Sequence, residues 1–255
     1  MNQEYHSMFD LTGKTALISG ACGTLGPVFA EALAEFGANI VLSDIKPGAA
    51  MKLADNLSNK YGVQAIGMNC DVADKASVED MTKSSVDRFG TIDILLNNAA
   101  NSMADPKAYF APFEEYSTDE WRRVLGVDLD GMFLVAQAVG SVMVESGRGG
   151  SIIQTASVYA AYAADNRIYE GARFNGVAIN NPAVYAVGKA GVLGLTRWLA
   201  TYWADHGIRV NSLLPGGVEA DQNDEFKKQY SNRVPLGRMA RKTEIAGAVI
   251  WLASE

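Results

Sequence analysis

The sequence predicts a three-layer α/β fold, a doubly wound parallel sheet forming a single domain over residues 1–255. Three observations predict it. Short apolar runs alternate with helical patterns along the whole chain. The runs are apolar on both faces, as strands covered by helices on both sides must be. The 255 residues, 48% hydrophobic and 20% charged, suffice for one large core and leave no low-complexity tract.

Thr15–Ser19 (TALIS) reads as the first strand. Leu25–Phe36 follows as a helix, with Leu25, Val28, Phe29, Ala32, Leu33 and Phe36 on one stripe and Gly37 as its stop. Asn39–Asp44, Ala65–Val72 and Ile92–Ala100 are the next strands, separated by helices over Ala49–Tyr61 and Ser77–Phe89. Thr118–Glu145 is a long helix, Ser151–Ser157 the fifth strand, Pro182–Asp205 a second long helix, Ile208–Gly217 the sixth strand and Thr243–Ala253 the last helix. Strand–helix–strand units at this spacing cross over right-handed. The helices at 118–145 and 182–205 are apolar nearly all round and need cover beyond the sheet, either by loops of the same chain or by a second subunit. The second subunit is favoured, which predicts a homo-oligomer, dimer or tetramer, joined through these two helices.

The formal net charge of −7 argues against nucleic acid or an anionic membrane surface as partner. Two cysteines, Cys22 and Cys70, exclude a disulfide framework and a Cys-rich zinc site and fit a reducing, cytoplasmic setting. His6 and His206 are too far apart for a local ligand set, so no metal is expected. The opening residues MNQEYHSMFD lack the apolar stretch of a signal peptide, and no run of apolar residues is long enough to span a bilayer.

Directly after the first strand, Gly20, Gly23 and Gly26 recur every third residue within SGACGTLG, and a helix opens at Leu25–Gly26. Such a turn lets the backbone approach a pyrophosphate, which then rests on the helix N-terminus; Gly20, Gly23, Thr24, Leu25 and Gly26 are the candidate residues. Pro27 suits the first helical turn. Asp44 ends the second strand at about the ~20-residue distance at which an acid accepts the adenosine ribose hydroxyls and repels a 2′-phosphate. NAD is thereby favoured over NADP.

Tyr185 and Lys189 in YAVGK share one helical face. Together with the glycine turn, Asp71-Val72, NNAA at Asn97–Ala100, GSIIQTAS, YAVGK and RVNSLLPGG, in that order over essentially the whole chain, they make the sequence resemble the short-chain dehydrogenase/reductases. That resemblance implies a Rossmann fold and interconversion of a secondary alcohol and a ketone. It implies Tyr185 as general acid/base, Lys189 as holder of the nicotinamide ribose that also acidifies Tyr185, and Ser157 as hydrogen-bond partner of the substrate oxygen. It also implies Asp71 and Val72 at the adenine, Asn97, Asn98 and Ala99 along the cofactor, and Pro215, Gly216 and Val218 at the nicotinamide. A phenol of pKa ~10 needs ~3–4 kcal/mol to work near neutral pH, and one cation ~4 Å away supplies ~4 kcal/mol.

Several features depart from the family pattern. VDLDG places Asp128 where the family usually has Asn, so an acceptor-only carboxylate stands near Lys189 and offsets part of its pull on Tyr185. The glycine spacing resembles the sugar-nucleotide epimerases and dehydratases, which leaves that activity as one alternative, and Asp128 leaves an idle NAD-binding scaffold as another. No threonine follows PGG, which leads into Val218-Glu219-Ala220. The segment 158–184 is longer than the family needs and carries Tyr159, Tyr162, Asp165, Arg167, Tyr169, Glu170, Arg173 and Asn175. It is read either as a cover over the substrate, pointing to a hydroxylated or anionic sugar-like molecule, or as a flap for subunit contacts. With TYWADHGIRVN and PLGRMA it resembles members linked to bacterial surface-glycan and nonulosonic acid pathways. Asp221–Lys228 is a helix over the cofactor or a solvated one. The family's final strand is expected beyond residue 255.

Overall fold

The computed structural model describes residues 7–254; His6, the residues before it and Glu255 lie outside the described residues. In chain order the elements are β1 (Thr15–Ser19), α1 (Gly26–Glu35), β2 (Asn39–Asp44), α2 (Pro47–Tyr61), β3 (Ala65–Asn69), α3 (Lys75–Phe89), β4 (Ile94–Asn97), α4 (Pro106–Tyr109), α5 (Thr118–Ser146) and β5 (Gly150–Thr155). There follow β6 (Arg173–Phe174), β7 (Val177–Ala178), α6 (Ala183–Tyr202), β8 (Ile208–Leu213), α7 (Asp224–Ser231) and α8 (Lys242–Ala253). Six parallel strands in the order β3-β2-β1-β4-β5-β8 make the main sheet; β6 and β7 form a separate antiparallel hairpin. The order reverses between β1 and β4, which opens a crevice at the carboxyl ends of the strands.

Alternate strand residues feed two cores. Ala16, Ile18, Ile40, Leu42, Ile94, Leu96 and Ile153 meet α1, α2 and α8 on one face. Leu17, Val41, Leu95, Ile152 and Val210 meet α3, α5 and α6 on the other. These strands bury both faces, as their unbroken apolar runs demand.

Strand ends fall short of the sequence reading where side chains or prolines remove the backbone from the ladder. β8 stops at Leu213 rather than Gly217, before Pro215, which has no N–H to give. β3 stops at Asn69, and β4 at Asn97, where Asn98 turns away with its N–H on Ser19 Oγ (3.0 Å). The larger correction concerns the helix expected over Thr118–Glu145. It is interrupted by a π-helical turn at Gly126–Gly131, one residue wider than the α-helical turn on either side. At 29 residues with mean hydropathy 1.5, α5 is long and apolar enough to cross a membrane, yet Val135, Val139 and Met143 lie wholly in the core and Asp128 is buried at its centre. It is a core helix.

α5 and α6 pack closely. A Cβ on Gly140 would come within 2.1 Å of the Trp203 ring, so glycine there makes room for the indole. Their outer faces are not covered by the described residues: Trp198 is 57% and Tyr202 62% exposed, stacked at 4.5 Å, with exposed Phe133 beside them.

Candidate active site

The glycine turn follows β1. Gly20 adopts φ +62°, and a Cβ on it would lie 2.6 Å from Ala99 Cα, so only glycine fits between β1 and β4. Gly26 packs α1 onto the turn, its missing Cβ falling 2.5 Å from Ala21 O. α1 has no side-chain cap and no acid in its first turn, so its N-terminal N–H groups are left open to an anion. Asp44 accepts from Cys22 N (2.8 Å) and Lys46 N (3.0 Å), fixing the turn to the end of β2.

These groups border a cleft of about 520 Å³ at the topological switch point. Gly20, Gly23, Thr24, Leu25, Asp44 and Asn98 wall one end; Ser157, Tyr185, Lys189, Pro215, Gly216 and Val218 wall the other. An adjoining hollow of about 400 Å³, sharing Gly20 and Asp44, is walled by Asp71, Val72 and Ala99. Of the residues expected to line a cofactor, Gly26 and Asn97 do not. Gly26 is buried in the packing of α1, and Asn97 is spent holding the sheet, accepting from Ser19 Oγ (3.0 Å) and donating to Met132 O (2.8 Å).

α6 carries Tyr185 in its first turn and Lys189 one turn on. Lys189 is 3% exposed, donates to Thr155 O (3.0 Å) and stands 5.9 Å from the centroid of the Tyr185 ring. Asp128, 2% exposed, comes from the π-helical turn and accepts from Asn101 N (2.6 Å). Asn101 Oδ1 in turn accepts from Arg123, whose guanidinium forks onto Glu120 (2.7 and 2.6 Å). β5 ends at Thr155 rather than at Ser157; Ser157 stands two residues on and caps the short helical turn Val158–Ala160, its hydroxyl accepting from Tyr159 N (3.2 Å).

Burial dominates the electrostatics. It pushes the Lys189 ammonium below its ordinary pKa, opposed by Asp128. It pushes the Asp128 carboxyl above its ordinary pKa, opposed first by Lys189. Tyr185 is likewise pushed up by burial first; a hydrogen bond with Ser157 opposes this, and Asp128 adds to it. This corrects the single-cation arithmetic made on the sequence, which left out the loss of water around the phenol.

Two residues that line the cleft keep a polar atom unpaired. Thr155 Oγ1 and Asn101 Nδ2 are buried without a partner, and both residues line it. Neither was found from the sequence, although Asn101 directly continues NNAA and Thr155 stands two residues before Ser157. Tyr230 was missed as well; its hydroxyl accepts from Gly217 N (2.5 Å) and holds the turn after β8.

The segment 158–184 packs on α7, which runs from Asp224 rather than Asp221 because Asn223 caps it. Asp165 is clasped between Arg167 (2.8 Å) and Arg233 (2.5 Å), which hold its carboxyl below the usual carboxylate range. Tyr169 stacks obliquely on Phe226 at 5.7 Å and shares a hydrogen bond with Tyr159.

A family model described as enoyl-(acyl carrier protein) reductase matches residues 20–255. The D-threitol dehydrogenase of Mycolicibacterium smegmatis is 36% identical over 97% of this chain and 88% of its own. Among solved structures, a short-chain type dehydrogenase/reductase from Mycobacterium marinum is 32% identical with a TM-score of 0.78, covering 98% of this chain and 91% of its own. An NAD+-bound xylitol dehydrogenase is 28% identical with a TM-score of 0.82 (96% and 94% covered). A gluconate 5-dehydrogenase from Burkholderia cenocepacia, in complex with NADP and tartrate, is 34% identical with a TM-score of 0.84 (98% and 92% covered).

Proposed function

Because the chain belongs to the short-chain dehydrogenase/reductase family, we propose that it is an NAD-dependent dehydrogenase interconverting a secondary alcohol and a ketone on a polyol or sugar-like substrate. The observation that carries this is the convergence of Ser157, Tyr185 and Lys189 on a cleft that begins at the glycine turn.

In the direction of oxidation, Tyr185 takes the proton of the substrate hydroxyl. Ser157 holds the same oxygen and orients it towards the phenol. Lys189, already anchored on Thr155 O, would bind the ribose hydroxyls of the cofactor. Asp128 keeps Lys189 charged and positions the Asn101 backbone. NAD, when bound, would supply the hydride acceptor at nicotinamide C4 and a positive charge to the site. The N-terminus of α1 with Gly20, Gly23, Thr24 and Leu25 would hold its pyrophosphate, Asp44 the adenosine ribose, Asp71, Val72 and Ala99 the adenine side, and Asn98, Pro215, Gly216 and Val218 the remainder. The Asp44 carboxylate supports NAD over NADP.

The uncovered aromatic face of α5 and α6 supports a homo-oligomer, a dimer or tetramer, built on those helices. The free thiols of Cys22 and Cys70 support a reducing compartment such as the cytoplasm. A panel of polyols and ketoses with NAD and with NADP, followed at the nicotinamide absorbance, tests the assignment. Reduction of NAD by a polyol is expected; tight cofactor binding with no redox change on any substrate would overturn it.

A further inference from the structure

One chain of contacts links a guanidinium near the surface to the buried end of the site. Ser117 caps α5 by accepting from Glu120 N (3.1 Å), which sets Glu120 in the first helical turn. Glu120 is 7% exposed, and its carboxylate is forked by Arg123 Nε (2.7 Å) and Nη2 (2.6 Å). The remaining guanidinium nitrogen, Nη1, donates to Asn101 Oδ1 (2.8 Å), and Asn101 N donates to Asp128 Oδ1 (2.6 Å). Arg123 and Asp128 lie on one helix, but not at a spacing at which helical side chains meet, so Asn101 is the bridge between them.

Asn101 needs such an anchor. It lies in a stretch after β4 without regular structure, and just beyond it Met103 takes a left-handed φ of 50°. Side chains rather than a ladder set the course of this stretch: Ser19 at Asn98 and Arg123 at Asn101. Burial pushes the Asp128 carboxyl up, and Lys189, the Asn101 N–H and Arg123 oppose this, in that order. The other titratable groups close to Asp128 are Tyr185 on α6, Tyr109 on α4 and Tyr116 ahead of α5. Burial pushes Tyr109 and Tyr116 up, Tyr116 to about 12, so neither adds a charge at neutral pH. Of the three supports of Asp128 as an anion, two therefore run through Arg123.

We propose that Arg123 is a positioning residue for the proton-transfer step: gripped by Glu120, it locks Asn101 so that Asp128 stays a charged, aligned partner of Lys189. The inference rests on the dehydrogenase reading and extends it to a residue away from the reacting groups. Without the lock, the buried carboxylate loses a well-placed N–H and a nearby cation. It then takes up a proton more readily, and its field at Tyr185 fades. Arg123 also walls the hollow that adjoins the cleft, so the decisive readout is a pH profile and not cofactor affinity.

The test uses two changes. Glu120→Gln combined with Arg123→Met removes the lock without altering net charge or leaving a buried carboxylate unpaired. Asn101→Ala cuts the bridge while the Glu120–Arg123 pair, and with it the start of α5, is kept. Each is made with Asp128 and with Asp128→Asn, and kcat/KM for alcohol oxidation at saturating NAD is followed against pH. With Asp128 in place, the combined change should move the midpoint downward by about one pH unit, because a neutralised Asp128 no longer raises Tyr185. Asn101→Ala should move it the same way by less. In the Asp128→Asn background neither should move it. An infrared titration, its carboxyl band assigned by the loss of that band in Asp128→Asn, should show Asp128 taking its proton at higher pH in both changes. A midpoint and band left in place by both, or an equal shift in the two backgrounds, overturns the lock. A wild type that binds NADH but turns over no alcohol overturns the dehydrogenase reading, and this inference with it.

Discussion

At the scale of single residues, the proposed reaction turns on how a buried phenol is made to ionise. Tyr185→Phe should lower kcat for alcohol oxidation by about a hundredfold to ten-thousandfold while NADH fluorescence still reports binding. Asp128 is the more informative position. Its negative charge raises the Tyr185 pKa, so Asp128→Asn should move the pH midpoint of kcat/KM for oxidation downward, because less alkaline solution then suffices to form the phenolate. A pH–rate profile that stays in place would exclude a charge coupling between the two. Tyr185, Lys189, Ser157 and Asp128 were named from the sequence through its resemblance to a family whose motifs place them in order, and the fold brings Ser157, Tyr185 and Lys189 to one cleft. Asn101, Thr155 and Tyr230 were not: each reaches the site through a fold-level contact that has no spacing of its own.

Individual elements were read best where a single period governs them. β1 and β2 fall at the expected boundaries, since their runs are apolar on both faces and bounded by glycine and by Asp44. The π-helical turn in α5 was invisible, because widening a helix by one residue leaves its composition unchanged, and VDLDG would read the same in a regular helix. The hairpin of β6 and β7 and the one-turn α4 are too short to show a period. Packing between elements gives a sharper prediction. Gly140→Ala drives a methyl into the Trp203 ring, so it should destabilise the protein by about 1–3 kcal/mol and lower Tm measurably in a thermal scan. Gly20→Ala forces a β-carbon against Ala99 at a positive φ and should weaken NADH binding as well as stability, by about 1–3 kcal/mol of strain.

For the whole molecule, the sheet order and the two-sided core follow from alternating patterns along the chain, but the outer aromatic face of α5 and α6 poses a question only an assembly answers. If that face joins subunits, Trp198→Glu should shift sedimentation to a smaller species, and activity per chain should fall as the helices behind Tyr185 lose their support. Sedimentation unchanged by that charge would move the interface elsewhere. The clasp of Asp165 by Arg167 and Arg233 ties two stretches far apart in sequence to one another. Asp44, finally, has a consequence for redesign. The carboxylate that would turn away a phosphorylated dinucleotide is also the tether of the Cys22 amide. Exchanging it to broaden coenzyme choice would loosen the first crossover at the same stroke, so a retargeted version calls for basic side chains introduced at neighbouring Ile45 or Lys46, with the aspartate left where it is.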